Sequence, residues 1–383
     1  MRILRVELRH VRMPLAACTF RTAFGALDSV DGVLVRLISD SGEAWAESTP
    51  FAAPSYSPEW AGGAFACLQA WMAPVVVGRE FESGEDLQAA LGRFKGNYFA
   101  KAALDFGWWL LEANRTNRPL HELLGGTRTD VEVGEAIGVM DTVAEVLAAV
   151  GMAIEQGYRR VKLKIEPGWD LDVVAAVRRS FPDLTLHVDC NSGYTLNDLP
   201  LFKRLDGLGL SMIEQPLGYG DLIDHAQLQK ELETAICLDE SIRSVDDARH
   251  AIALGSCRYV NVKPGRVGGL TSAIRIIEEC AGAGVPCWVG GMLESALGAA
   301  ICAELATLDN IRYPSDVAPG ARFYDPDLSE PPLVFERGRS GGLFVKTNQL
   351  PGVPQRPRAQ ALDRWTLQAA TVTEGTVDER ERG

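Results

Sequence analysis

The first third of the chain changes from one pattern of hydrophobic positions to another. Up to about residue 50, apolar and polar residues alternate, as in Leu4–Leu8 and Gly32–Leu37. A period of two predicts an antiparallel meander of strands. From about residue 58 to 122 the apolar residues recur every three or four positions, which is typical of helices. A glycine pair at Gly125 and Gly126 ends this block, so we expect a domain boundary at about residue 127.

Between about residues 130 and 320, strand-like and helix-like segments alternate. The predicted strands span residues 131–139, 160–165, 184–189, 210–214, 235–239, 257–263 and 285–290. Amphipathic helices follow them, including 143–156, 170–180, 271–282 and 295–308. Repeated strand-helix units of this length favour a closed parallel barrel, whose reactive residues lie at the carboxyl ends of the strands.

The C-terminal part of the chain is richer in Pro and Gly. It contains one apolar strand candidate, residues 342–345, which we expect to return to the first domain. Residues 351–383 contain three prolines and end in a run of charges. This composition predicts a packed segment followed by a disordered tail.

Composition excludes some classes of function. The 383 residues are 46% hydrophobic and 23% charged, and no apolar run reaches the roughly 20 residues that a membrane helix needs. The chain starts on a strand pattern and not on a signal peptide, so we expect a cytoplasmic location. A net charge of −13 without a basic cluster argues against a nucleic-acid partner. The eight cysteines show no metal-binding spacing, so we expect reduced, mostly buried thiols.

Charged residues close successive predicted strands at an almost constant interval. Lys164, Asp189, Glu214, Asp239 and Lys263 are separated by 25, 25, 25 and 24 residues. This interval is the length of one strand-helix unit. The charged side chains should therefore meet at one end of the barrel.

Three carboxylates at one end of a barrel would repel one another unless a cation lay between them. Asp189, Glu214 and Asp239 offer hard oxygen ligands, and no His or Cys shares the pattern. Such a set favours Mg²⁺, or Mn²⁺, over Zn²⁺. The alternative is that each acid caps the helix that follows its strand, but three acids at equal spacing between lysines favour the metal.

The lysines suggest proton-transfer chemistry. Lys162 and Lys164 are two residues apart on one strand, so they share a face, and the apolar neighbours on the other face put them inside the barrel. Lys263 should lie across the barrel from them. Two bases on opposite sides of a metal suit proton exchange at a carbon alpha to a carboxylate, with Lys164 and Lys263 as bases and Lys162 as an ammonium that stabilises negative charge.

The segment 19–25 links the first two predicted strands and is unusually apolar. It carries Phe20 and Phe24. A loop of this kind should cover either the domain interface or a ligand.

These charged residues lie in motifs that resemble the enolase superfamily, muconate-lactonizing subgroup. The motifs are Lys162-Leu163-Lys164, Asp189-Cys190-Asn191, Glu214-Gln215-Pro216, Asp239-Glu240-Ser241 and Lys263-Pro264-Gly265-Arg266-Val267-Gly268-Gly269. Three further stretches are similar to its o-succinylbenzoate synthase / N-acylamino acid racemase branch: residues 165–170, 290–295 and 20–25. The resemblance runs from residue 1 to about residue 345.

The resemblance implies an α/β fold: a (β/α)7β-type TIM barrel with an α+β capping domain built from the N-terminal segment and the C-terminal strand. The expected parts are a capping domain at 1–127, the barrel at 128–322, a return segment at 323–350 and an extension at 351–383. The resemblance also implies an association into homo-oligomers.

The same resemblance implies residue roles. Asp189, Glu214 and Asp239 would be the metal ligands, and Lys164 and Lys263 the acid/base pair. Supporting groups around them would be Asn191, Glu240 and Arg266. The implied substrate-side residues are Phe20, Phe24, Phe51, Gly291, Met292, Leu293 and Phe323 with Tyr324.

Three positions depart from the branch. Glu135 stands on an inward-facing position where the branch has a small polar residue, and Ala296 and Cys190 add bulk near the site. Glu135 is also a candidate substrate residue: it would bind an amino or guanidinium group, or repel the second carboxylate of a succinyl substrate. Alternatively, Glu135 pairs with a nearby lysine and is structural.

The sequence therefore predicts a Mg²⁺-dependent enzyme that acts on a small-molecule carboxylate. This enzyme would racemise N-acylamino acids, form o-succinylbenzoate by dehydration, or do both. A second hypothesis is a racemase, epimerase or dehydratase of the same superfamily with a cationic or otherwise divergent carboxylate substrate. Two more are a Schiff-base aldolase that uses Lys263 and a non-catalytic barrel.

Overall fold

A computed structural model of the chain describes residues 1–16, 20–23, 25–339 and 341–376. Its first element is an antiparallel sheet in which strand Ile3–Pro14 pairs with Ser29–Ser39, which in turn pairs with Gly42–Ser48. The alternating pattern buries one side chain in two along the first strand, so the predicted meander is confirmed. The connection between its first two strands forms a small hairpin, Phe20–Thr22 with Gly25–Leu27. Phe24 lies outside the described residues.

Helices cover this sheet. They span Ala61–Cys67, Ala73–Val76, Gly84–Leu91, Tyr98–Thr116 and Leu120–Leu123, with a π-helical turn at Leu68–Met72. The longest, Tyr98–Thr116, packs on the second and third strands of the sheet, and Gly107 allows its backbone to approach Leu37. The helical block that the sequence predicts is therefore confirmed, and its longest helix is mostly buried.

Seven parallel strands form the barrel. In chain order, barrel strands one to seven are Glu135–Ile137, Arg160–Lys164, Thr185–Asp189, Met212–Glu214, Ala235–Leu238, Tyr259–Val262 and Cys287–Val289. The helices after them are Val143–Gln156, Leu171–Ser180, Leu199–Asp206, Ile223–Glu231, Val245–Leu254, Leu270–Gly282 and Ala296–Leu305. A short 3-10 turn at Leu196–Asp198 precedes the third helix. Each strand is paired with the next, which confirms the predicted barrel of strand-helix units.

The eighth position of the barrel is an irregular segment. Ile311 bridges to Cys287 of barrel strand seven, and Ser315 bridges to Val133 beside barrel strand one. Asp316 N also donates to Val289 O at 2.9 Å. Residues 311–316 thus lie between the first and last strands.

The predicted strand at 131–139 is in fact two strands. Asp130–Glu132 belongs to a separate three-stranded sheet, and only Glu135–Ile137 enters the barrel. The break falls at Gly134, where a Cβ atom would lie 2.0 Å from the guanidinium carbon of Arg160. The buried arginine therefore occupies the space that a continuous strand with side chains would need.

Residues 342–345, which we expected to return to the first domain, do not join the first sheet. Strand Leu343–Lys346 pairs with Asp130–Glu132 and with Phe335–Arg337. The strand that joins the first sheet is Thr366–Thr373, which lies against the free edge of Ile3–Pro14. Only Val372 of this strand is buried, and most of its other side chains are exposed, as suits an edge strand. Residues 377–383, where we expected a disordered tail, lie outside the described residues.

The rest of the C-terminal part is short. It comprises a 3-10 turn at Gly320–Arg322, a two-stranded pair of Ser329–Glu330 with Arg356–Pro357, helix Ala359–Trp365 and a final 3-10 turn at Glu374–Thr376. The seven cysteines among the described residues are free, and all but Cys67 are buried. None of the helices in these residues combines the length and apolarity that a membrane span requires.

Substitution of Gly107 by Ala should destabilise the protein. A Cβ at this position would lie 2.6 Å from Leu37 Cδ1, and Leu37 is fully buried, so the packed side chain would have to shift. We expect Gly107→Ala to lower the free energy of unfolding by about 1–3 kcal/mol, measured by chemical denaturation.

Gly151 provides the matched control. It lies within helix Val143–Gln156, and a Cβ there would meet nothing within 4 Å. Gly151→Ala should raise the free energy of unfolding by about 0.5–1 kcal/mol, because alanine loses less conformational entropy in a helix. Equal losses in both variants would contradict this account of helix packing.

Candidate active site

The charged residues of the predicted constellation meet at the carboxyl ends of the barrel strands. Lys162 and Lys164 project from barrel strand two, Asp189 and Glu214 end strands three and four, and Asp239 and Lys263 follow strands five and six. All six side chains are buried, and the three carboxylates have no exposed surface. So many buried charges are tolerated only when each lies close to a group of opposite charge.

Lys162 lies in the middle of the acidic groups. Its Nζ is 2.5 Å from Asp316 Oδ2, 3.3 Å from Glu214 Oε2 and 3.4 Å from Asp189 Oδ2. It also lies 5.0 Å from the ring centroid of Trp288. Burial alone would lower the pKa of Lys162, but the carboxylates, Asp316 foremost, raise it above its usual range. Lys162 is therefore an ammonium group that holds the acids together.

Lys164 is held by the strand next to its own. Its Nζ donates to Asp189 Oδ2 at 2.6 Å and to Asn191 Oδ1 at 2.7 Å. The amide nitrogen of Asn191 donates in turn to Glu240 Oε1 at 3.1 Å. Glu240 is buried, and burial, reinforced by Asp239, raises its pKa to about 8.

Lys263 is held from two directions. Its Nζ donates to Asp239 Oδ2 at 2.8 Å and to the Tyr56 hydroxyl at 3.1 Å. Arg266 contacts the other oxygen of Asp239 and donates to the same hydroxyl at 2.9 Å. Backbone carbonyls of Asn261 and Ile242 fix the Arg266 guanidinium, at 2.8 and 3.1 Å.

Two residues at the strand ends have left-handed backbone conformations. Asn191 and Gln215, which follow Asp189 and Glu214 closely, have φ angles of 40° and 37°. For residues other than glycine such conformations are strained, and they concentrate at functional sites. At Gln215 the side-chain oxygen accepts from the backbone nitrogens of Asp239 at 3.0 Å and Ser241 at 3.2 Å, so it orients the end of the next strand.

The residues present fit a hard divalent cation, although they do not form a complete cage. Glu214 Oε2 is buried and has no hydrogen-bond donor, while Glu214 Oε1 accepts from Asn261 Nδ2 at 2.7 Å. Carboxylate oxygens of this kind are the ligands that Mg²⁺ prefers. In the described residues 1–16, 20–23, 25–339 and 341–376, no three acidic, His or Cys side chains stand in a ready-made metal-binding arrangement, because lysine ammonium groups lie among the carboxylates.

Above these charges lies a cavity between the barrel and the first sheet with its helices and hairpin, which together are called the covering domain below. The covering side contributes Phe20, Thr22, Leu27, Phe51 and Tyr56. The barrel side contributes Lys162, Lys164, Asn191, Lys263, Glu135, Gly291, Met292, Leu293, Glu294, Asp316, Arg322 and Phe323, among others. The cavity thus has an apolar, aromatic roof and a charged floor.

The structure brings most of the predicted substrate-side residues to this cavity. Phe20, Phe51, Glu135, Phe323 and the turn from Gly291 to Leu293 all line it. Tyr324 is buried behind it, where its hydroxyl donates to Leu293 O at 2.5 Å. Glu240 and Arg266 lie behind the lysines and not on the cavity surface, while Asn191 reaches it.

Glu135 pairs with an arginine and not with a lysine. Its carboxylate forms an ion pair with Arg322, which also donates to Ala136 O at 3.0 Å. Burial raises the pKa of Glu135 to about 7, against the opposing effect of Arg322. The ion pair closes one side wall of the cavity.

The cavity-lining residues that sequence reasoning missed include Tyr56, Glu294, Asp316 and Arg322. Asp316 ends the irregular eighth position of the barrel. The rule that a charged residue ends each barrel strand would have predicted it if the rule had been applied to this position. Tyr56 and Arg322 lie in segments without hydrophobic periodicity, and the pattern carries no signal for them.

The fold and the site define a class of protein: an enzyme built on a capped parallel barrel, with lysines and carboxylates buried at the strand ends. Residues 144–353 match the family model described as enolase C-terminal domain-like, and residues 3–125 match the mandelate racemase / muconate lactonizing enzyme N-terminal domain. The chain therefore belongs to the enolase superfamily, in the branch of o-succinylbenzoate synthases and N-succinylamino acid racemases. Enzymes of this superfamily depend on a divalent metal, generally Mg²⁺.

Relatives match along most of their length. The o-succinylbenzoate synthase of Geobacillus stearothermophilus is 43% identical, with 94% of this chain and 95% of the relative covered. The N-succinylamino acid racemase of an Amycolatopsis species is 42% identical, with 96% and 98% covered. A crystal structure of an enolase superfamily member from Listeria innocua has a TM-score of 0.91 at 37% identity and covers 98% of this chain and all of its own. The family and fold expected from the sequence are confirmed.

Removal of Arg322 should destabilise the protein in a pH-dependent way. Glu135 has a folded-state pKa of about 7, above its ordinary value of 4.5, so its protonated form is favoured in the fold and stability falls as pH rises between these values. Without Arg322 that pKa rises further. We expect Arg322→Leu to cost about 1–3 kcal/mol near pH 8, where Glu135 must ionise without its arginine partner, and much less near pH 5.

Urea denaturation at both pH values measures this difference. The double variant Glu135→Gln/Arg322→Leu is the control, because a neutral side chain at 135 should remove the pH dependence. A loss in Arg322→Leu of the same size at both pH values would contradict the assignment of the ion pair.

Proposed function

We propose that this protein is a divalent-metal-dependent enzyme that removes the proton alpha to a carboxylate of a small succinylated substrate. On this proposal it racemises N-succinylamino acids and forms o-succinylbenzoate by dehydration, the activities for which its relatives are named. The dehydration needs one base, and the racemisation needs two.

One observation carries the proposal. Lys164 and Lys263 line the same cavity from barrel strands two and six, which are half a turn apart in a barrel of eight positions. Each ammonium group is held by two hydrogen bonds to fixed acceptors. A substrate carbon between them would have one base on each face, which is what inversion of a stereocentre requires.

The other charged groups have distinct roles in this proposal. Lys162, packed between Asp316, Glu214 and Asp189, is the cation beside which negative charge on the substrate carboxylate develops. Asp189, Glu214 and Asp239 would hold Mg²⁺, or Mn²⁺, which when bound stabilises that same charge as a Lewis acid. The aromatic roof of Phe20, Phe51 and Phe323 excludes water and contacts apolar parts of the substrate.

The pairing of Glu135 with Arg322 favours an anionic or neutral distal group over a cationic one. The carboxylate that could attract an amino or guanidinium group is already compensated by Arg322. Arg322 uses one guanidinium nitrogen for Glu135 and Ala136 O, and its other N–H donors, which line the cavity, suit a second carboxylate such as that of a succinyl group. This weighs against the alternative of a cationic substrate.

Four further properties of the protein stay predictions. They are the domain boundaries at residues 127 and 322, the cytoplasmic location, the homo-oligomer and the absence of a nucleic-acid partner. The acidic net charge of −13 supports the last of these.

The two-base proposal predicts a separation of activities between lysine variants. In ²H₂O, each of Lys164→Ala and Lys263→Ala should lose exchange of the alpha proton of one enantiomer of N-succinylphenylalanine by about 10²–10⁴-fold and keep that of the other. Both variants should lose racemisation. Proton NMR of the two enantiomers measures the exchange directly.

Lys203→Ala is the matched control, since Lys203 forms a surface pair with Glu231 and its side chain is 52% exposed. Lys203→Ala should exchange the alpha protons of both enantiomers at the rates of the unaltered enzyme. Loss of exchange of both enantiomers in either active-site variant would argue against one base per face, and borohydride trapping of substrate on Lys263 would support the aldolase hypothesis instead.

Metal removal gives an independent test. Treatment with a chelator should abolish exchange, and Mg²⁺ or Mn²⁺ should restore it. Saturating Mg²⁺ should also raise the thermal midpoint, since a ligand at about 100 times its Kd stabilises the fold by roughly 2.7 kcal/mol.

Glu214→Gln should remove this thermal stabilisation by Mg²⁺, because Glu214 Oε2 is a buried carboxylate oxygen that accepts no hydrogen bond from the described residues. Asp206→Asn, at a carboxylate that accepts from Glu233 N and Thr234 N instead, should keep it. An equal Mg²⁺ effect in unaltered protein and Glu214→Gln would exclude Glu214 as a ligand.

A further inference from the structure

A tyrosine from the covering domain reaches into the charged floor of the cavity. Tyr56 lies in the loop between the first sheet and helix Ala61–Cys67 and is only 5% exposed. Its hydroxyl accepts from Lys263 Nζ at 3.1 Å and from Arg266 Nη1 at 2.9 Å, and donates to Asp239 Oδ1 at 3.0 Å. Its ring centroid is 4.5 Å from Lys263 Nζ. A side chain from outside the barrel therefore contacts Lys263 and the two charged groups beside it, Asp239 and Arg266.

The loop that carries Tyr56 is itself fixed. Ala61 N donates to Phe51 O at 2.7 Å, which closes the loop at its base. The ring of Phe51 packs edge-on against Tyr56, with centroids 6.0 Å apart. Phe51 has a φ angle of 69°, a strained conformation that the loop maintains. The position of the hydroxyl is thus set by the covering domain.

The two candidate bases are anchored differently. Lys164 donates to Asp189 and Asn191, both at the end of barrel strand three. Lys263 donates to Asp239 in the barrel and to Tyr56 in the covering domain. One base is held within the barrel, while the other is held across the boundary between the two parts of the molecule.

These anchors determine where each base points. A lysine nitrogen is tetrahedral and carries three positions besides its carbon. When two N–H groups are directed at fixed acceptors, the third position is directed too, and it is a lone pair in the neutral amine and an N–H in the ammonium. For Lys263, the loss of the Tyr56 acceptor would leave this third position free to turn away from the substrate.

We propose that Tyr56 is a positioning residue for Lys263: it aims the reacting position of this base, and not that of Lys164, so that proton transfer on one face of the substrate depends on the covering domain. This inference rests on the proposed two-base function. It predicts an asymmetry between enantiomers that a merely structural role of Tyr56 would not produce.

Tyr56→Phe is the decisive variant, because it keeps the ring that packs on Phe51 and Lys263 and removes only the hydroxyl. The measurement is the rate of alpha-proton exchange in ²H₂O for N-succinyl-L-phenylalanine and N-succinyl-D-phenylalanine, each followed separately. Lys164→Ala and Lys263→Ala identify which enantiomer each lysine serves. We expect the ratio of the two rates to shift by about tenfold or more against the enantiomer served by Lys263, given the sensitivity of proton transfer to small displacements.

Tyr194→Phe is the matched control. Tyr194 is also buried, its hydroxyl donates to Asp170 Oδ2 at 3.2 Å, and its ring packs edge-on against Phe202. This substitution should leave the ratio as in the unaltered enzyme. The enantiomer served by Lys164 acts as an internal control for folding in every preparation.

The outcomes are distinct. A selective loss on the side of Lys263 supports the proposal. Equal slowing of both enantiomers, no change, or slowing on the side of Lys164 would overturn it while leaving the two-base function intact. If the unaltered enzyme exchanged neither enantiomer, the proposed function itself would fail.

Discussion

The site depends on the mutual compensation of buried charges. Lys162, Lys164, Lys263 and Arg266 face Asp189, Glu214, Asp239 and Asp316 with almost no contact with water. Each of these charges alone would be costly to bury, and each is tolerated because an opposite charge lies within hydrogen-bond reach. Loss of one group would leave its partners uncompensated. The same pairing holds the lysine nitrogens in place by hydrogen bonds to fixed acceptors.

The barrel provides this arrangement through its geometry. Parallel strands end at one edge, so residues separated by one strand-helix unit become neighbours. Asp189 and Glu214, for example, lie opposite each other in the register of adjacent strands. The left-handed conformations of Asn191 and Gln215 turn the chain away at the strand ends and leave their side chains to hold Lys164 and Asp239. Strain and function coincide at these two positions.

The covering domain adds what the barrel lacks. It supplies an apolar roof and, through Tyr56, a polar contact to one of the two bases. The first sheet is completed by a strand from the far end of the chain, Thr366–Thr373, so the part that covers the cavity is built from both ends of the chain. Glu135 and Arg322 close the remaining side by an ion pair between barrel strand one and a turn that follows the barrel. The cavity is thus bounded by segments that are far apart in sequence.

Features that repeat or alternate locally could be predicted from the amino-acid sequence alone. The spacing of about 25 residues and the shared face of Lys162 and Lys164 were enough to predict a barrel with inward lysines and acids at its strand ends, since both follow from the periods of regular structure. Only the tertiary structure decided the pairing of Glu135 with Arg322, the reach of Tyr56 to Lys263 and the partners of the C-terminal strands. These contacts join loops and edges that have no period, and a strand pattern does not say which free edge it will meet.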